Sequence, residues 1–227
     1  MNNVMNVTKL SYSNLWSMRK MLVLSILIFI PIGALNNLIL NMIIPLTVYN
    51  FTYQVMAYED KDSIDTLISY LPVTKQEYIL SRYILALTNL LIGIVFFTLG
   101  YMFILMLKKY SFIFGIQLDI INFGIQTTYL QQGALGVISA TFAISALIPF
   151  LIKFGSIKGR YISTFVILIF LFGALFVQVD INNVIMQTLM SISNINLILF
   201  TILITIVVIA ISYVFSKTMY KTKEVSS

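Results

Sequence analysis

From Met21 to Ala57 the chain carries no charged residue over 37 positions. One helix of that length would run roughly 55 Å at ~1.5 Å per residue, nearly twice the ~30 Å hydrocarbon core of a bilayer. Two passes joined by a tight turn fit instead, and Asn36, Asn37 and Asn41 mark the turn. Four more uncharged stretches of span length follow, so the predicted spans are about 21–37, 40–57, 83–107, 130–152, 161–179 and 196–216. Composition agrees: 59% of the 227 residues are apolar and 10% are charged, against about 25% charged in a soluble domain. The reading is an all-α polytopic membrane protein with six transmembrane helices. No Gly/Ser-rich linker or long polar segment divides it, so residues 1–227 are read as a single transmembrane domain. The stretch before the first span shows no evident small-residue cleavage site, and that span is read as retained rather than as a cleaved leader.

Six spans put both termini on one side, and the cations say which. Lys9, Arg19, Lys20, Lys61, Lys75, Arg82, Lys153, Lys158, Arg160, Lys217, Lys221 and Lys223 fall on the side of the termini; Lys108 and Lys109 fall opposite. That bias places the N- and C-termini in the cytoplasm. It also accounts for the net charge of +6 without nucleic acid as a partner. The N-terminal stretch, with Val7, Leu10, Trp16 and Met18 among Lys9, Arg19 and Lys20, reads as a short interface helix on the cytoplasmic face, with Trp16 at headgroup level. A disordered tail is the other reading. The outer segment at about 108–129 is too apolar for a free loop and reads as lying at the outer interface.

What is missing narrows the chemistry. Without His or Cys there is no zinc site of the usual ligands, no Ser-His triad and no thiol nucleophile, so no metal site and no catalytic residue are expected. No span carries an ionisable residue at mid-depth, which disfavours a proton-coupled pump. A Walker A pattern is absent as well. Energy for uphill movement must then come from another chain.

The most polar part of the sequence lies between the second and third spans. Five of the eight acids, Glu59, Asp60, Asp62, Asp65 and Glu77, gather there. Ile64, Leu67, Ile68 and Leu71 are spaced i, i+3, i+4 and i+7, which puts them on one helical face. Asp62 or Ser63 can cap that helix, and Pro72 ends it. Thr74 and Glu77 then make a T-x-x-E capping box at the start of the next helix. A helix floating on anionic lipid would present Lys and Arg rather than acids. Packing on the protein's own inner face stays open, but an acid-edged apolar face fits a docking element for a soluble partner.

Inside the spans, Gly133, Gly136, Ala140, Ala143 and Ala146 form a small-residue stripe for close helix packing, within the chain or against another subunit. Pro31, Pro45 and Pro149 are candidate kinks. Asn50, Gln54, Thr88 and Asn89 are candidate pathway residues, with hydrogen bonding between helices as the alternative role.

Tyr58-Glu59-Asp60-Lys61, then Leu71-Pro72-Val73-Thr74-Lys75-Gln76-Glu77-Tyr78-Ile79 and Arg82-Tyr83, resembles the signature that permeases of the ABC-2 transporter type carry between their second and third spans. The layout is similar along essentially the whole chain, and within that family the resemblance is greatest to the permease subunits that export phenol-soluble modulins in staphylococci. The resemblance implies a multi-pass permease in the bacterial plasma membrane that is not itself an enzyme. It implies a homo- or heterodimer with a second permease, each copy bound to a separate ATPase that holds ATP and Mg, and no cofactor on this chain. Residues 59–77 would be the coupling helix seated in that ATPase, and the cargo an amphipathic peptide reached through membrane lipid. Two further classes are weighed: a membrane enzyme, whose catalytic inventory is nearly empty here, and a non-transporting immunity or scaffold protein that binds a toxic peptide.

Overall fold

A computed structural model of the chain describes residues 2–17, 37–61, 73–113, 129–180 and 193–223. These form α1 (Asn2–Ser17), α2 (Asn37–Lys61), α3 (Lys75–Ile113), α4 (Tyr129–Asp180) and α5 (Asn194–Lys223), with no strand among the described residues. Three stretches are long and apolar enough to cross a membrane by length and composition: Lys75–Phe103, Tyr129–Gly155 and Asn194–Tyr220. They coincide with the predicted third, fourth and sixth spans. The second falls on α2 and the fifth on the far part of α4, while the predicted first span lies almost wholly outside the described residues.

The middle of the bundle is α2. Ile43, Ile44, Val48 and Val55 are fully buried on it, packed among α1, α3 and α4. Pro45 lies inside this helix, and Thr47 and Asn50 return their side chains to the carbonyls of Ile43 and Leu46. α1 forms where an interface helix is predicted, yet the chain itself covers one side of it. Val4, Val7, Thr8 and Ser11 are buried, while Met5 and Leu10 are exposed. It runs alongside α3 in the same chain direction: Asn3 bonds Glu77, Ser11 meets Arg82 and Tyr12 reaches Thr88.

α4 is two helices closed on one another. Gly155 has φ 75° and ψ −178°, a region that only glycine enters without strain. Four residues later a Cβ on Gly159 would stand 2.8 Å from the Phe150 carbonyl oxygen and 2.9 Å from Leu151 Cα. In a straight helix Phe150 and Gly159 would be about 13 Å apart along the axis, so the chain has reversed. The returning limb reaches α2, where Tyr49 and Thr164 share a 2.6 Å hydrogen bond. The reversal falls where the basic connection Lys153–Arg160 is predicted.

Proline chemistry shapes the outgoing limb. Pro149 lies inside α4 and has no amide to give the carbonyl four residues back, which is that of Ser145. The Ser212 hydroxyl of α5 donates to that carbonyl at 3.0 Å. A neighbouring serine thus restores what the proline removed.

Gly155→Ala is expected to cost about 1–3 kcal/mol from backbone strain. Gly159→Ala should cost more, since its methyl group meets main chain that has nowhere to go. Both are read as lowered unfolding midpoints of the purified protein in detergent, and an unchanged midpoint for Gly159→Ala would contradict the hairpin.

Candidate functional site

The segment predicted to grip a partner is mostly outside the described residues, with Asp62, Ile64, Asp65, Leu67, Ile68, Leu71 and Pro72 in it; its two anchors are described. Upstream, α2 continues to Lys61, so Glu59 and Asp60 belong to its last turn rather than to the helix that follows. Acids at a helix C-terminus oppose the dipole, by about 0.3–1 kcal/mol each where exposed. Local rules of this kind are broken most often at functional surfaces.

Downstream the capping box forms as the sequence predicts. The Thr74 amide and hydroxyl both donate to Glu77 Oε2, at 2.8 and 2.9 Å, and the Glu77 amide donates to Thr74 Oγ1 at 3.3 Å. Chain entering α3 is therefore held at a fixed angle.

The next two turns of α3 form a junction. Tyr78 and Arg82 lie one turn apart on the same face, and the guanidinium sits 4.3 Å from the Tyr78 ring centroid. Arg82 is fully buried, and its Nη1 donates to Ser11 Oγ of α1 at 2.9 Å. A buried cation is tolerable only when its donors and its charge are met, which ring and hydroxyl both help to do. On another side Tyr83 Oη lies 2.7 Å from both Ser212 Oγ and Ser216 Oγ of α5. Because Ser212 spends its proton on the Ser145 carbonyl, the tyrosine donates to Ser212 and accepts from Ser216. The result is one directional chain from Ser216 through Tyr83 and Ser212 to α4. Tyr220 adds a ring contact to Tyr78 at 6.5 Å and faces Lys75 at 6.0 Å. Glu77 and its signature neighbours are thus joined to α1, α4 and α5.

Above this junction Tyr12 of α1 bonds Thr88 and, at 3.5 Å, Asn89 Oδ1. Burial pushes the Tyr12 phenol above its ordinary pKa, against the Thr88 hydrogen bond, so it remains a neutral donor. Asn89 Nδ2 continues to Thr52 of α2 at 3.1 Å. Thr88 also returns its hydroxyl to the Ile84 and Leu85 carbonyls, and Asn50 bonds Leu46. Three of the four candidate pathway residues therefore tie helices together or cap their own turns. For Gln54, the buried Oε1 has no hydrogen-bond partner among the described residues. In the small-residue stripe, Gly136, Ala140 and Ala143 are buried within the chain's own bundle, and a Cβ on Gly133 would meet the Phe97 ring at 3.4 Å. The stripe serves intramolecular packing.

A cavity of about 370 Å³ opens between α3, α4 and α5, with Ile44 of α2 also on its wall, away from the junction. Leu90, Ile94 and Phe97 line it from α3, Gly133 and Val137 from α4, and Ile202 from α5. None of Asn50, Gln54, Thr88 and Asn89 lines it. Sequence reasoning passed over both this cavity and the Tyr83 link. One signal for the link was available: Thr201, Thr205, Ser212 and Ser216 share one face of an otherwise apolar helix.

A family model described as "ABC-2 family transporter protein" matches residues 9–221. No protein of curated function and no solved structure matches the chain. The match reaches the family and does not extend to the modulin exporters within it.

Ser212→Ala is expected to destabilise the bundle more than Ser216→Ala, because it strands the Ser145 carbonyl as well as the Tyr83 hydroxyl. Combining Tyr83→Phe with Ser216→Ala should show a coupling energy of about 0.6–1.7 kcal/mol. Unfolding in mixed detergent micelles measures both, and strict additivity would remove Tyr83 from the chain of bonds.

Proposed function

The chain belongs to the ABC-2 family of transporter proteins, and from that premise we propose that it is the transmembrane permease subunit of an ATP-driven exporter. In this reading it crosses the bacterial plasma membrane six times, with both termini in the cytoplasm. A separate ATPase holds ATP and Mg and grips residues 59–77, with Ile64, Leu67, Ile68 and Leu71 inserted and the acids at the rim. A second permease, identical or not, completes the pathway. The cargo is an amphipathic, membrane-active peptide of the phenol-soluble modulin kind.

The observation that carries this reading is the junction at the start of α3. The gripped segment leads directly into the Thr74–Glu77 cap, and two turns later Arg82 and Tyr83 hold the helix against α1 and α5. Lys75 lies about 12 Å before Tyr83 along the axis, and Phe97 lies about 21 Å beyond it. With α3 pinned at Tyr83, a shift of the cap tilts the far end the opposite way, and by more. That far end is one wall of the cavity. ATP binding on the partner would thus be converted into movement between α3 and α5 with no bond chemistry on this chain.

Replacing Leu67 and Leu71 together by Asp should abolish co-purification of the ATPase while membrane insertion persists. Undiminished co-purification would overturn the docking role of residues 59–77. In the reconstituted complex, amphipathic peptides should stimulate ATP hydrolysis. Peptide binding with no nucleotide dependence would instead fit the non-transporting immunity or scaffold protein.

A further inference from the structure

We propose that the cavity between α3, α4 and α5 is a binding site for one acyl chain of a membrane phospholipid. Thr201 and Thr205 are hydroxyl-bearing residues on its α5 wall, and both return their protons to the carbonyls of Leu197 and Thr201. Water entering there would find few partners, and cavities of that character stay dry. A helix of a second copy is ~10 Å across with its side chains, too wide for a space of about 370 Å³.

An empty void of this size is also unfavourable. Its walls forfeit the dispersion contacts that close packing supplies, and a cavity of about 150 Å³ already takes up benzene. The space here, about 370 Å³, is more than twice that, room for a stretch of acyl chain. Ile202 and Ile206 line it from α5 and are both more than half exposed, where lipid is the solvent of a membrane-spanning helix. Acyl chains are there at solvent concentration, so even weak binding is saturated by mass action.

The site has a polar end as well. Tyr129 stacks on Phe97, with centroids 5.3 Å apart, and packs against Tyr101 at 4.9 Å; its hydroxyl bonds Thr98 Oγ1 at 2.7 Å. An amphiphile entering chain-first leaves its head near these hydroxyls, as aromatic belts do at the membrane interface.

The test uses the full-length protein in vesicles of phosphatidylglycerol carrying a diazirine midway along one acyl chain. After photolysis, adducts are expected at Ile94, Ala134 and Val137 inside the cavity, together with adducts at outward-facing Leu203 and Ile211. Ala134→Phe fills the space and should lose the cavity adducts while the outward ones persist. Ile202→Trp fills it from α5 and tests the same point if the first variant does not fold. Labelling confined to the outward positions, or cavity labelling unchanged in the filled variants, overturns the proposal. Cross-linking of a photoreactive residue at position 134 to a second copy, or to residues 18–36 of the same chain, overturns it in favour of that occupant. Lipid labelling does not depend on export, so failure here is distinct from failure of the exporter reading.

Discussion

A carbonyl without an amide is the constraint on which the bundle's arrangement turns. Pro149 leaves the Ser145 oxygen unmet in surroundings where water does not supply the missing bond, and Ser212 closes it from α5. That choice commits the Ser212 proton, which sets the direction of the Tyr83 bond and draws Ser216 into the same line. Three helices far apart in sequence are thereby held at one height. Apolar contact alone would not fix this register, because Leu and Ile slide past one another at little cost when lipid is the alternative neighbour.

From that fixed point the rest of α3 acquires a mechanical meaning. On one side is the short arm capped by Thr74 and Glu77; on the other is the long arm that borders the cavity. α1 braces the helix on both sides of Tyr83, through Ser11 at Arg82 and Tyr12 at Thr88. The signature from Val73 to Tyr83 is thus a compact joint, in which Thr74 and Glu77 cap each other while Arg82 and Tyr83 bond α1 and α5.

How much of this was legible in the sequence follows from range. Thr74 and Glu77 are three residues apart, and their mutual capping is read directly from the spelling. The small-residue stripe was legible for the same reason, since one helix face can be counted along the chain. The reversal near Gly155 was anticipated as a basic connection, but its tightness depends on where Phe150 lies and cannot be spelled locally. The helix of the second span outruns its predicted span of 40–57, reaching Lys61, because its end is set by the backbone while the span is set by where charge begins. Asn89 and Thr88 were visible as polar residues in an apolar span. That they bind Thr52 and Tyr12 required the fold. The cavity is hardest of all to foresee, being an absence of atoms shared among four helices.

The placement of α1 has a consequence for how the protein is made. Tyr12 and its partner Thr88 are 76 residues apart, so at ~5–20 residues per second the first helix waits about 4–15 s for its neighbour to be synthesised. Val4 and Val7, buried in the finished bundle, have no α3 to cover them during that interval. The side of the first helix that carries Val4, Val7, Thr8 and Ser11 is therefore completed late, by residues the ribosome reaches last among its partners, while Met5, Lys9 and Leu10 need no such cover.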